Sequence, residues 1–134
     1  MLLKEYKIKG RGDNKQISFN DPALKNLEDI LNSDWCSVLS AEGALLDLND
    51  ILSNWNDIEN FSENNYNGFW DVYTLNEVGD TGTCFSYAGF VDFTTYIKID
   101  NSYVYIKNKL IPANPRVGMP ITELIDILEQ WKEL

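Results

Sequence analysis

The chain has 134 residues, 44% of them hydrophobic and 13% aromatic, with 21 acidic against 11 basic side chains and a formal net charge of -10. That length and apolar content suit one self-folding domain, residues 1–134, and argue against disorder. The acid surplus disfavours direct contact with nucleic acid or an anionic membrane, since both are polyanions.

Residues 2–9 alternate as a strand, with Tyr6 and Ile8 on one face and Glu5, Lys7 and Lys9 on the other. Gly10-Arg11-Gly12-Asp13-Asn14 reads as a turn, and Gln16-Ile17-Ser18-Phe19 as a short return strand. Asp21-Pro22 starts a helix, with a carboxylate at the N-cap and proline at the first position. Leu24, Leu27, Ile30 and Leu31 carry that helix to about residue 32. Trp35-Cys36-Ser37-Val38-Leu39 is either a buried strand or a tight link, because periodicity cannot separate the two.

Ser40 is the expected N-cap of a second helix. Leu45, Leu48, Leu52 and Trp55 share one of its faces, with Ile51 and Ile58 beside them, and Gly43 blurs its start. Residues 60–68 turn to Asn, Ser, Glu and Gly and predict an exposed loop. Strands are expected at Phe69–Leu75, Thr83–Ala88, Phe90–Asp100 and Tyr103–Lys107. Between them lie turns at Gly79-Asp80-Thr81-Gly82 and Asp100-Asn101-Ser102, where Asn tolerates positive φ, and a bend at Ala88-Gly89. Pro112 and Pro115 interrupt regular structure. Pro120 opens a last helix with an apolar stripe of Ile121, Leu124, Ile125, Leu128 and Trp131.

This order predicts an α+β fold: an antiparallel sheet of about four to six strands, helices packed on one side, and a closing C-terminal amphipathic helix. No apolar run nears the roughly 20 residues that span a bilayer. Met1-Leu2-Leu3-Lys4-Glu5-Tyr6 is not a signal peptide. Cys36 and Cys84, far apart in apolar settings, read as two buried reduced thiols rather than a disulfide framework. A cytoplasmic protein is expected.

Chemistry has little to work with. There is no histidine, which removes the usual proton carrier near neutral pH, the Ser-His-Asp and Cys-His nucleophiles, and the commonest transition-metal ligand. Two isolated cysteines do not build a zinc site. Asp47-Leu48-Asn49-Asp50 offers oxygen ligands but lacks the glycine and distal glutamate of an EF-hand loop. Gly79-Asp80-Thr81-Gly82-Thr83 lacks the Gly-Lys-Ser/Thr ending of a phosphate loop, and Asp80 would repel phosphate. Arg11-Gly12-Asp13 reads as a turn. Neither a catalytic residue, a cofactor nor a metal is expected. Paired carboxylates keep a carboxylate-dependent hydrolase as an alternative, since glycoside hydrolysis needs nothing more.

The charge pattern is the main functional clue. Residues 26–97 hold 13 acids, from Glu28 to Asp92, and no lysine or arginine. Surfaces that serve solubility alone usually mix both signs. One-sided charge costs stability through self-repulsion while attracting a basic surface. Asp47, Asp50, Asn54 and Asp57 fall at i, i+3, i+7 and i+10, on one face of the second helix, opposite Leu45, Leu52 and Trp55. Glu59, Glu63, Asp71, Glu77 and Asp80 extend the acids beyond it. Among the interleaved aromatics, Tyr66 in the polar loop and Trp70, out of phase with Phe69, are the expected exposed anchors. The expected partner-binding set is therefore Asp47, Asp50, Asp57, Glu59, Glu63, Tyr66, Trp70, Asp71 and Asp80, with anchors that hold and charges that steer.

In size, charge and element order, including the helix Pro120–Leu134, the chain resembles the immunity proteins of bacterial polymorphic toxin systems, among them those of contact-dependent growth inhibition. The resemblance implies a non-enzymatic inhibitor that neutralises a cognate toxin, and acidity implies a nuclease with a basic cleft. It transfers no site residue. The expected partner is that basic toxin domain, with no direct nucleic-acid or membrane contact, and the chain itself a monomer or weak homodimer. The competing binder is a nucleic-acid mimic, whose acids would imitate phosphate spacing in a regular array and capture many DNA-binding proteins.

Overall fold

A computed structural model describes residues 5–57, 70–74, 83–87, 95–100, 102–108 and 110–134. The chain opens with a hairpin of β1 (Tyr6–Lys9) and β2 (Gln16–Phe19), paired antiparallel from Tyr6↔Phe19 to Lys9↔Gln16. Gly10 and Gly12 turn it with φ of 75° and 61°. At Gly10 a Cβ would sit 2.5 Å from the Asn14 carbonyl oxygen, so only glycine fits. A single 3-10 turn, Gly12–Asn14, completes the connection.

Asp21 behaves as expected: its Oδ1 accepts from the Ala23 N–H at 2.9 Å, with Pro22 next in the chain. A 3-10 turn at Pro22–Leu24 leads into α1 (Lys25–Asn32), which buries Leu27, Ile30 and Leu31. Two α1 side chains cover the β2 edge. Asn32 accepts from Ile17 N–H at 2.8 Å and donates to Ile17 O at 2.9 Å, and Glu28 accepts from Phe19 N–H at 2.9 Å. They stand in for a third strand at these β2 groups, whose N–H and C=O are thereby satisfied.

Residues 33–36 form the link between helices, not a strand. The N-cap of α2 (Val38–Ser53) is Ser37, three residues before the expected Ser40. Ser40 instead occupies the third helical position and completes a reciprocal capping box with Ser37. Asp13, from the β1–β2 turn, accepts from the Val38 N–H at 2.9 Å and satisfies a further orphan donor. The earlier start brings Val38 and Leu39 into the helix. The buried face is Ala41, Ala44, Leu45, Leu48 and Ile51, with the expected Leu52 and Trp55 packed at its margin. Cys36 is half-buried, against the expectation of full burial.

The main sheet runs in sequence order through β3 (Trp70–Thr74), β4 (Thr83–Tyr87), β5 (Thr95–Asp100), β6 (Tyr103–Asn108) and β7 (Val117–Pro120). Every pairing is antiparallel, and β4 meets β5 through only Phe85↔Ile99 and Ser86↔Lys98. The β5–β6 hairpin turns after the Asp100↔Tyr103 pair, where Ser102 takes a left-handed φ of 62°. The loop expected at 60–68, the turn at 79–82, the bend at Ala88-Gly89 and Asn101 lie outside the described residues.

β7 is an addition to the sequence reading. Val117 and Met119 point into the core, while Gly118 and Pro120 face outward. Its loop is held by buried Asn26, whose amide donates to Pro115 O at 3.1 Å and Ile106 O at 3.4 Å.

Pro120 is the last residue of β7 and the N-cap of α3 (Ile121–Lys132). Ile121, Leu124, Ile127, Leu128 and Trp131 are buried, so Ile127 takes the place expected of Ile125, which is half-buried. α1 and α3 both reach β6, whose Val104 and Ile106 are fully buried, and α2 packs on α3. The architecture is α+β, with antiparallel pairing and a closing C-terminal helix.

Candidate functional site: an acidic helix with two outward leucines

A 16-residue helix that packs on one side must divide its residues between core and solvent. In α2 the inward set spans Ala41 to Ile51, which leaves Leu39, Glu42, Gly43, Leu46, Asn49, Asp50 and Ser53 exposed. This outer stripe is acidic and unusually apolar together. Leu39 is 81% exposed and Leu46 69% exposed. They are seven residues apart, two turns, so their side chains lie about 10 Å from each other along one line. Between and beside them sit the Glu42 and Asp50 carboxylates, and α2 contains no lysine or arginine.

Leu46 also forms one wall of a groove between α2 and α3. Its lining is Glu42, Leu45, Leu46, Asn49, Glu129 and Lys132, and its volume is about 270 Å³. Lys132 donates to Glu129 at 3.2 Å. That hydrogen bond raises the lysine's pKa, with the Glu42 carboxylate adding to it. The groove therefore carries two carboxylates against one ammonium already committed to Glu129.

The expected partner-binding residues fall into three groups. Asp50 is exposed on α2, and Asp47 is half-buried on the flank of the same helix. Asp57 is exposed but does not belong to that helix: α2 ends at Ser53, Asn54 is the C-cap, and Asp57 closes the 3-10 turn Trp55–Asp57. The single helical face drawn from Asp47 to Asp57 is thus broken at Asn54. Trp70 and Asp71 open β3, opposite Tyr87 and Ser86 of β4. Glu59, Glu63, Tyr66 and Asp80 lie outside the described residues.

Other acids of the base-free stretch have structural work. Glu28 and Asp29 both contact Lys25, at its near edge.

Leu39 and Leu46 went unpredicted for a definite reason. A helix begun at Ser40 omits Leu39 altogether and leaves Leu46 a lone misfit. Begun at Ser37, the same wheel puts both leucines opposite Leu48. Among the described residues no group of His, Cys, Asp and Glu is arranged to hold a metal ion, and no helix is long and apolar enough to cross a membrane. No protein family, characterised protein or solved structure matches the chain.

Proposed function

We propose that this chain is a non-enzymatic inhibitor of the immunity-protein type, which binds and neutralises a cognate basic toxin, a nuclease whose cleft is built for phosphate. The observation that carries the reading is the outer face of α2, where exposed Glu42 and Asp50 flank two exposed leucines within a 72-residue stretch lacking any base. Interfaces that hold combine apolar anchors with a charged rim, and the rim sets the speed of encounter. In this reading the five sequential strands act as one sheet of the expected four-to-six-strand size, with the helices on one side presenting α2. The protein works in the cytoplasm, where the toxin would act. A nucleic-acid mimic fits less well, because the α2 acids are interrupted by Leu39, Gly43 and Leu46 rather than repeated as an array.

The probe for this reading is the C-terminal domain encoded by the reading frame immediately upstream. Expressed alone it should arrest growth, and this chain should restore it. In a low-salt titration, Glu42→Lys combined with Asp50→Lys, both exposed on α2, should slow association about tenfold or more while leaving the melting temperature unchanged. An upstream domain with neither toxicity nor affinity for this chain would sink the proposal.

A further inference from the structure

We infer that the groove between α2 and α3, together with the ridge of Leu39 and Leu46, receives an amphipathic helix of a basic protein. The inference rests on the reading of the chain as a binder of such a protein, and it names the contact that holds the complex.

Those leucines carry a cost in the free chain. Two large apolar side chains lie open to water on a helix that already has a complete buried face of five residues. Their spacing of two turns matches apolar side chains at i and i+7 on a facing helix, which repeat at the same rise. Leu45 and Leu46 give the groove an apolar floor and wall, and Glu42, Asn49 and Glu129 give it a polar rim. A groove of about 270 Å³ accepts one or two aliphatic side chains, not a folded domain.

Charge selects the occupant. Glu42 and Asp50 flank the ridge, while Glu129 on the far side of the groove already holds Lys132 at 3.2 Å, which leaves Glu42 and Asp50 as the carboxylates that select the occupant. A docking helix therefore needs Lys or Arg beside its apolar residues, placed to meet these carboxylates. A second copy of this chain is the wrong occupant. It would bring two base-free α2 helices together and press like charges into a drying interface.

The test uses a synthetic helical peptide of about 16 residues, with leucines at i, i+4 and i+7 and lysines or arginines on both flanks. A control peptide replaces the leucines by serine. Fluorescence anisotropy against the full chain at moderate salt should show saturable binding of the leucine peptide. Leu39→Ser with Leu46→Ser should weaken it about tenfold or more. The serine peptide should bind at least as poorly. Both leucines are exposed, so the variant should melt as the parent does.

If charge reversal at Glu42 and Asp50 abolishes binding while the double serine variant does not, the groove is wrong and the acidic-surface reading stands. If the peptide binds neither parent nor variant, or is indifferent to both sets of changes, the groove inference falls, and the reading of the chain as a toxin binder is decided separately by the upstream-domain titration. A dimer in sedimentation that the leucine substitutions dissolve would make the ridge a self-association surface and overturn the inference.

Discussion

At the scale of single residues, Glu28 shows how an acid in this chain can be structural. Burial pushes its carboxyl up, but the hydrogen bond from Lys25, the Phe19 N–H and the lysine charge outweigh that, and its pKa lies below the ordinary 4.5. A depressed folded pKa contributes stability that is complete above the unfolded value and disappears as pH falls through the folded one. Glu28→Gln should therefore lower the melting temperature at neutral pH, and the gap from the parent should shrink at an acid pH below the carboxylate range. Melts at the two pH values check this, and an equal gap at both would contradict it. Asp21 was readable from the chain because an Asp-Pro start has local chemistry. Asp13 was not, since its role depends on a helix starting 25 residues later. The opposite surprise is Lys15, which is 1% exposed, donates to the Trp131 carbonyl and lies 4.4 Å from that ring's centroid. Burial lowers its pKa, with Asp13 and Glu133 opposing the shift. A lysine next to a turn gives no local sign of entering a core.

At the scale of elements, helices with strong ends were legible and weak ones slipped. α3 was found almost residue for residue, because Pro120 marks its start and its apolar stripe is continuous. α2 was found with the wrong start, and three residues decided what its outer face contains. Two serines in one capping box look equivalent until the chain's direction into the helix is known. Ser37→Ala should reveal which one matters most: it should cost about 1 kcal/mol in a denaturant titration. Ser40→Ala should cost less, because Ser37 would still accept from the residue-40 N–H. β7 was missed because Gly and Pro occupy its outward positions, leaving only Val117 and Met119 as a signal. Gly118 has a reason to be there. The rings of Tyr103 and Tyr105, 5.0 Å apart between centroids, lie where its Cβ would point, at 3.1–3.2 Å.

At the scale of the molecule, one core joins the first hairpin, all three helices, and β6 and β7. Trp131 is 0% exposed, donates its indole N–H to Trp35 O at 2.8 Å, and packs its ring against the Lys15 ammonium. Trp131→Ala should lower stability by about 3–5 kcal/mol. A melting temperature within a degree or two of the parent would show that α3 contributes little to cohesion. The α+β class, the antiparallel meander and the terminal helix were all accessible to periodicity and turn chemistry. The separation of the first hairpin from the main sheet was not, because strand partners are a long-range choice that alternation cannot express.

The Lys15–Trp131 and Trp35–Trp131 contacts, separated by 116 and 96 positions along the chain, bear on when the protein becomes competent during synthesis. A nascent chain halted before Ile121 would carry α2 with its inner leucines uncovered and Lys15 lacking the carbonyl that receives it. Such a fragment would be prone to chaperone capture or proteolysis. Closure of the core thus waits on α3: until Ile121–Lys132 has docked, neither α2 nor Lys15 has the neighbours that the folded protein gives it.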